Sequence, residues 1–438
     1  MTQSSPLTQR RIFLFWLPLA ATWLMMSIEG PFLTAIIARL SSPEYNLAAF
    51  GVAFSFALLA EAPVIMMMSA ATALVNDRAS YLRLRTFTHA LNAAVTLALG
   101  VLLLPPVFDF VGHTLLDLPE EVASRTWMAL LFLFPWPGAI GFRRFYQGVL
   151  IRHGQTRRVA YGTIVRLVFM SATALFLHRL TDLQGAVVGA ASLSAGVIAE
   201  AFASRVMANG AVRSLMTGEH EEAENSIGYP EIIRFYIPLA LTAVLALGVH
   251  PLVTFFVGHG RLALESLAVL PVVNSLVFVF RSLGLAYQEV GIALMGRDGE
   301  GFQPLRKFAW TLGVAVAAGL GIIAWTPLGR FWFEVISGLS PELAAFALTP
   351  ARILVLVPGL AVILSFQRAV LVHAKRTVPV TIATVMEVGG IVAVLSLGIF
   401  YFDTVGVVAA SAALLIGRLG ANIYLGPILS SSRTGKDS

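Results

Sequence analysis

Long apolar runs recur along the whole chain, separated by short polar stretches. Crossing the hydrocarbon of a bilayer takes about 20 apolar residues, more when a helix tilts. Twelve runs meet that length: Ile12–Ala38, Leu47–Val75, Phe87–Gly112, Val122–Ile151, Val159–Leu177, Gly185–Met207, Ile232–Val257, Leu264–Leu294, Phe308–Gly329, Leu343–Val372, Val378–Phe402 and Val405–Leu425. They lack the polar and apolar alternation of an outer-membrane barrel strand. Each is predicted to be a transmembrane helix.

Composition agrees with that pattern. Of 438 residues 57% are apolar and 12% charged, and the mean hydropathy is +0.81. Soluble domains carry roughly 25% charged residues, so this chain cannot cover a water-facing surface. A soluble enzyme and a disordered protein are both excluded. The chain has no cysteine, which removes disulfides, thiolate metal sites and cysteine nucleophiles. The eight histidines include no HExxH pair, so no metal is expected. Phosphate-binding GxxxxGK[ST] loops and GxSxG elbows are missing too, so neither a motor, a hydrolase nor any other enzyme is expected, and no cofactor.

The formal charge of +6 is explained by topology rather than by nucleic acid. With a cytoplasmic N-terminus, the inner segments hold Arg10, Arg11, Arg78, Arg83, Arg85, Arg152, Arg157, Arg158, Arg213, Arg234, Arg297, Arg306, Lys307, Lys375, Arg376, Arg433 and Lys436. The outer segments hold only Arg39, Arg125, Arg179, Arg261 and Arg330. That asymmetry places both termini in the cytoplasm of an inner (plasma) membrane protein. The first run is too long for a signal-peptide core and is read as a retained helix. The longest loop, from Ala208 to Pro230, is polar and carries Glu219, Glu221, Glu222 and Glu224. The expected organisation is an N-lobe at 1–207, a cytoplasmic linker at 208–230, a C-lobe at 231–428 and a short tail at 429–438.

The halves are related. At an offset of 220, Phe15-Trp16-Leu17-Pro18-Leu19-Ala20 meets Phe235-Tyr236-Ile237-Pro238-Leu239-Ala240, Pro31 meets Pro251, Thr34 meets Thr254, and Leu47-Ala48 meets Leu267-Ala268. At an offset of 221, Pro137-Gly138 meets Pro358-Gly359, Thr163 meets Thr384, and Asp182 and Gly185 meet Asp403 and Gly406. Six spans is an even number, so the two repeats enter the membrane in the same direction. Two such bundles suit alternating access to a site near the midplane.

Charges lie inside the spans. They comprise Arg143, Arg144, Arg166, Arg205, Arg281, Arg352, Arg368 and Arg418, with Glu29, Glu61, Glu200, Glu289 and Glu387. Each costs roughly 2.5–3.5 kcal/mol at a helix centre, so each needs a cavity or a partner. Arg205 and Arg352 sit near span ends, where they can snorkel. The register sets opposite charges at equal depth: Glu61 matches Arg281, and Arg166 matches Glu387. Glu61 and Arg281 are therefore expected to face one another, directly or through a ligand. Asn274, Arg281 and Gln288 are spaced by seven, on one helical stripe that drifts only about 20° per step. Arg144 and Gln147, with Arg368 in the matching span, complete a set of donors suited to carboxylate or phosphate oxygens.

Several stretches carry a resemblance to known proteins. These are Phe15-Trp16-Leu17-Pro18-Leu19, Glu29, Leu47-Ala48-Ala49-Phe50-Gly51-Val52-Ala53-Phe54-Ser55, Pro350-Ala351-Arg352-Ile353, Lys375-Arg376-Thr377 and Gly406-Val407. Twelve spans in two repeats resemble the multidrug and toxin extrusion (MATE) fold of the multidrug/oligosaccharidyl-lipid/polysaccharide flippase (MOP) superfamily. Within it the sequence resembles the progressive ankylosis protein family, as a prokaryotic homologue without the long charged C-terminal tail of animal members. The resemblance implies export of small anions such as citrate, pyrophosphate or nucleotides.

The reading from sequence is thus an all-α polytopic secondary transporter, monomeric in the lipid bilayer, that exports a small organic or phosphorylated anion. Arg144, Gln147, Arg166, Asn274, Arg281, Gln288 and Arg368 are the expected substrate-binding residues. Glu29, Glu61, Glu289 and Glu387 are expected to balance charge or carry a coupling H+ or Na+. Three alternatives stay open: cation-coupled MATE-type multidrug efflux, a lipid-linked precursor flippase, and a receptor or scaffold that transports nothing.

Overall fold

The computed structural model describes residues 7–217, 227–296, 299–374, 376 and 378–434. Most of the acidic linker (Glu219, Glu221, Glu222 and Glu224), Arg297, Lys375, Thr377 and Lys436 lie outside the described residues, as does the side chain of Arg433. Among the described residues the fold is all-α, with one isolated bridge between Arg261 and Val405.

The first four helices are α1 (Gln9–Ser27), α2 (Glu29–Ile37), α3 (Pro43–Ile65) and α4 (Met67–Leu74). Next come α5 (Arg78–Leu102), α6 (Pro105–Asp109), α7 (Glu120–Leu133), α8 (Trp136–Arg152), α9 (Thr156–Leu180), α10 (Gly185–Met207) and α11 (Asn209–Thr217). The second half holds α12 (Tyr229–Leu247), α13 (Val249–Gly258), α14 (Ala263–Leu285), α15 (Tyr287–Leu294), α16 (Phe302–Trp325) and α17 (Leu328–Arg330). It ends with α18 (Pro341–Ile353), α19 (Val357–His373), α20 (Val378–Ser396) and α21 (Gly406–Thr434).

Among the described residues ten helical stretches are long and apolar enough to cross a membrane, and α5 with its 72° bend into the following stretch makes an eleventh. The twelfth expected span, Val122–Ile151, is divided into α7 and α8 beside Pro135 and Pro137. Neither piece alone spans a bilayer, and α8 carries Arg143, Arg144 and Arg152. A proline removes one backbone donor and clashes with the preceding turn, which accounts for the break.

The repeat is written into the backbone. The break between α1 and α2 at Ile28 recurs 220 residues later at Gly248, and the break at Met66 recurs at Ala286. Left-handed corners recur as well: Ser42 and Leu262 hold φ of 50° and 52°, and Asp117 and Gly338 hold 51° and 77°. A side chain at positive φ is costly, so its recurrence in both halves marks a shared corner rather than chance. Wide π turns close the same span in each half, at Phe110–Leu115 and Phe331–Ile336.

The described chain forms two compact units, and they cut it differently from the expected lobes. One, here unit N, is Leu40–Phe255; the other, unit C, is Met1–Arg39 with Phe256–Ser438. The first helix of each sequence half therefore packs with the other half's helices. Packing explains this. Ile12, Trp16 and Ala20 of α1 bury themselves against Tyr287, Val290, Leu305, Phe308 and Leu312 of unit C. Ile232 and Tyr236 of α12 join Met67, Tyr81, Leu84, Phe145 and Tyr146 of unit N. Between membrane helices close van der Waals packing of this kind, rather than removal from water, holds the elements together.

Candidate functional site

Each unit has a buried polar node, built on matching helices with opposite polarity. In unit N the node centres on Glu200 of α10. The Arg143 guanidinium of α8 donates to its Oε2, and Gln147 Nε2, one turn later, donates to Oε1 at 3.0 Å. Arg166 Nη1 of α9 stands 4.0 Å from the same Oε2. Both carboxylate oxygens are thus engaged, and the Glu200 side chain is 1% exposed. A carboxylate withdrawn this far from water is stable only when its charge and lone pairs are met.

Beside it, Glu61 Oε2 of α3 accepts the Trp136 indole N–H at 2.7 Å. The Arg166 guanidinium lies over the Trp136 ring, 5.8 Å from its centroid, a favourable cation–π arrangement. Arg144 turns its Nη1 toward Met68 Sδ at 3.7 Å, and its buried Nε has no hydrogen-bond partner. Gly196 allows this assembly: a Cβ there would sit 2.9 Å from the Arg166 carbonyl oxygen.

In unit C the acid and base exchange helices. Glu387 of α20, the register partner of Arg166, meets Arg418 of α21 with Nη2 and Oε1 2.9 Å apart. Thr384, one turn earlier on α20, accepts from Arg368 Nη2 of α19 at 3.2 Å. Arg281 of α14 is close enough to Arg418 and Glu387 to feel both charges, and its guanidinium lies 5.1 Å from the centroid of the Phe278 ring. The Nε atoms of Arg281, Arg368 and Arg418 are all buried without hydrogen-bond partners. Arg418 thus pairs with the Glu387 carboxylate, and Arg281 and Arg368 lie within electrostatic reach of it. The floor is ordered by amides: Gln367 Nε2 donates to the Asn422 carbonyl at 3.1 Å, and Asn422 Nδ2 to the Arg418 carbonyl at 2.8 Å.

Of the expected residues, Gln147, Arg166 and Glu61 share one node with Arg144 at its edge, and Arg281, Arg368 and Glu387 share the other. Asn274 and Gln288 are half-buried on α14 and α15, with the break at Ala286 interrupting their stripe. Glu29 is buried and Glu289 exposed, so Glu289 does not join the node. Glu61 and Arg281, expected to face each other, belong to different units, and each has a charge or hydrogen-bond partner within its own. The residues that sequence reasoning left out of the site are Arg143, Glu200, Trp136, Thr384 and Arg418. Glu200 and Arg418 were hidden by the gapless register: residue 200 advanced by 221 is Ala421, about one turn from Arg418.

No protein-family model and no curated protein matches the sequence. Solved structures do match its fold. One is titled as the inward-facing conformation of a multidrug resistance MATE family transporter of the MOP superfamily. It is 14% identical, with a TM-score of 0.72 over 94% of this chain and 96% of that one. The lipid II flippase MurJ in an inward closed conformation is 14% identical, with a TM-score of 0.68 over 92% and 86%. A MOP superfamily transporter from Pyrococcus furiosus, described as having a binding pocket of reverse polarity, is 15% identical, with a TM-score of 0.68 over 98% and 97%. The chain is an all-α, multi-span membrane protein with a MATE-like fold.

Proposed function

We propose that the protein is a secondary transporter that exports a small organic or phosphorylated anion by alternating access. The observation that carries this reading is the node of unit C, where Arg418 pairs with Glu387 and Arg281 and Arg368 lie within electrostatic reach of both, three guanidiniums to one carboxylate among the described residues of the node. An excess of buried cations is costly in low dielectric. A ligand with carboxylate or phosphate oxygens removes the cost, and planar guanidiniums match those oxygens two at a time. Citrate, pyrophosphate and nucleotides are the substrate candidates, as the resemblance to the progressive ankylosis family implies. Arg144, Gln147 and Arg166 of unit N, and Asn274 and Gln288 of unit C, are further donors for the anion. Glu29, Glu61, Glu289 and Glu387 balance charge or carry a coupling H+ or Na+. The fold shared with solved MATE transporters supports transport as the activity. Both termini are cytoplasmic, and the transporter works as a monomer.

Cation-coupled efflux is the second reading, favoured by Glu61, whose carboxylate has the Trp136 indole as its hydrogen-bond donor. Counterflow into proteoliposomes with citrate, pyrophosphate, ATP and a cationic dye decides between them. Exchange of one or more anions, lost on Arg281→Gln or Arg368→Gln, is the expected result. Uptake of the dye alone overturns the anion reading in favour of efflux.

A further inference from the structure

We infer that the Glu387 carboxylate is a tethered competitor of the transported anion for the Arg418 guanidinium, so that the protein carries its own exchangeable counter-anion. The inference rests on the anion reading above and adds how that site is regulated.

The two nodes differ in how firmly each carboxylate is held. Glu200 uses both carboxylate oxygens, toward Arg143 and Gln147, and its side chain is 1% exposed while that of Arg143 is 3% exposed. It is tied from α8 and approached from α9, and withdrawing it would take the carboxylate from the Arg143 guanidinium. Among the described residues Glu387 makes one ion contact, Oε1 to Arg418 Nη2 at 2.9 Å, with side chains 13% and 18% exposed. An arginine and a carboxylate can join through two parallel hydrogen bonds. This pair meets at one N–O contact without hydrogen-bond geometry, and Arg418 Nε stays without a hydrogen-bond partner. A partly exposed pair held by one contact is weaker and easier to exchange than a buried carboxylate engaged at both oxygens.

The surroundings favour an incoming anion over Glu387 itself. The Nε atoms of Arg281 and Arg368 are also buried without partners. Glu387 is fixed to α20, so it satisfies one arginine at a time. A free anion with several oxygens can engage more than one guanidinium together. Thr384, one turn before Glu387, already holds Arg368 in place at 3.2 Å, so α20 offers a hydroxyl to one arginine and a carboxylate to another. Displacement forms the anion–Arg418 pair and breaks the Glu387–Arg418 pair; no proton or electron need move. On release, Glu387 returns to Arg418 and speeds the anion's departure. The site is thereby kept from holding two uncompensated charges at either stage.

The test is direct binding of pyrophosphate, citrate and ATP to purified full-length protein in detergent, with counterflow measured in parallel. Removing a tethered competitor should tighten binding. Glu387→Gln is expected to lower the Kd of the bound anion by about tenfold, the equivalent of about 1.4 kcal/mol, while slowing counterflow through slower release. Glu387→Asp, which keeps the charge on a shorter arm, should tighten binding by less. It serves as the second variant if the glutamine form does not fold. In a protein already carrying Arg418→Gln, adding Glu387→Gln should leave the Kd unchanged, because the contested guanidinium is gone. Unchanged or weaker binding in both Glu387 variants overturns the competitor role while leaving the anion reading intact. Binding of none of the three anions to any folded form overturns both.

Discussion

Trp16 and Tyr236 stand 220 residues apart and make the same contact. The Trp16 indole N–H donates to the Leu283 carbonyl at 3.0 Å, and the Tyr236 hydroxyl donates to the Pro63 carbonyl at 2.5 Å. Leu283 and Pro63 are also 220 apart. Both acceptors lie in the last turn before a helix break, at Ala286 and Met66, where carbonyls lose their intrahelical partners. Each bond therefore ties the first helix of one sequence half to the broken helix of the other, within one compact unit.

Removing either donor should weaken its unit. Tyr236→Phe keeps the ring and deletes only the hydroxyl, whereas Trp16→Phe deletes the N–H together with one ring of a buried indole. Each is expected to lower stability by about 1 kcal/mol or more, and the effects should add because the sites share no partner. Thermal unfolding in detergent checks this; unchanged midpoints would show that the bonds contribute nothing net.

The Glu200 node should be far less tolerant than the Glu387 node. Glu200→Gln removes the charge that Arg143 donates to and Arg166 approaches, leaving only a neutral amide oxygen in its place. Breaking a buried pair in this way costs about 3–5 kcal/mol, so folded yield and thermal stability should fall sharply. Glu387→Gln, acting on a partly exposed pair held by one contact, should cost less than Glu200→Gln. Equal losses would erase the distinction between the two nodes.

Helix contacts through glycine give a packing test. A Cβ on Gly148 would lie 2.5 Å from the Met68 carbonyl oxygen and 2.6 Å from Ala71 Cβ, where α8 crosses α4. On Gly284 it would lie 2.7 Å from Val362 Cγ2 and 3.2 Å from Val362 N. Small residues permit such approach between membrane helices. Gly148→Ala and Gly284→Ala should each destabilise by about 1–3 kcal/mol. Gly389→Ala, with nothing within 4 Å, should be neutral or slightly stabilising, which makes it the control.

Orientation can be read with single cysteines, because the chain has none of its own. Ser214 in α11 and Gln184 between α9 and α10 are both exposed. With cytoplasmic termini, Gln184→Cys should react with an impermeant maleimide added outside intact cells, and Ser214→Cys only after permeabilisation. The reverse pattern would invert the topology inferred from the arginine distribution.

Much of the fold was legible in the linear chain. Hydropathy marked the spans because a bilayer demands about 20 apolar residues and internally satisfied backbones. The span most resistant to that test, α7 with α8, is the one that carries Arg143 and Arg144 and is broken beside Pro135. The duplication was legible as well. Pro18 and Pro238, or Leu47 and Leu267, had kept their identity at one offset, and the breaks at Ile28 and Gly248 follow the same offset.

Partnership between charges was less accessible. Register alone set Glu61 against Arg281 and Arg166 against Glu387, but register compares equivalent positions and says nothing of which helices touch. Arg166 approaches Glu200, and Glu387 meets Arg418, through neighbouring helices of the same half.

Span number, the direction of the repeat and the costly presence of ionised groups in apolar segments are properties of the chain read residue by residue, because the bilayer and the backbone impose them locally. The exchange of the first helices between units, and the choice of partner for each arginine, depended on side chains meeting across long stretches of chain. Such contacts are selected by packing and charge in three dimensions, and nothing in local sequence encodes them.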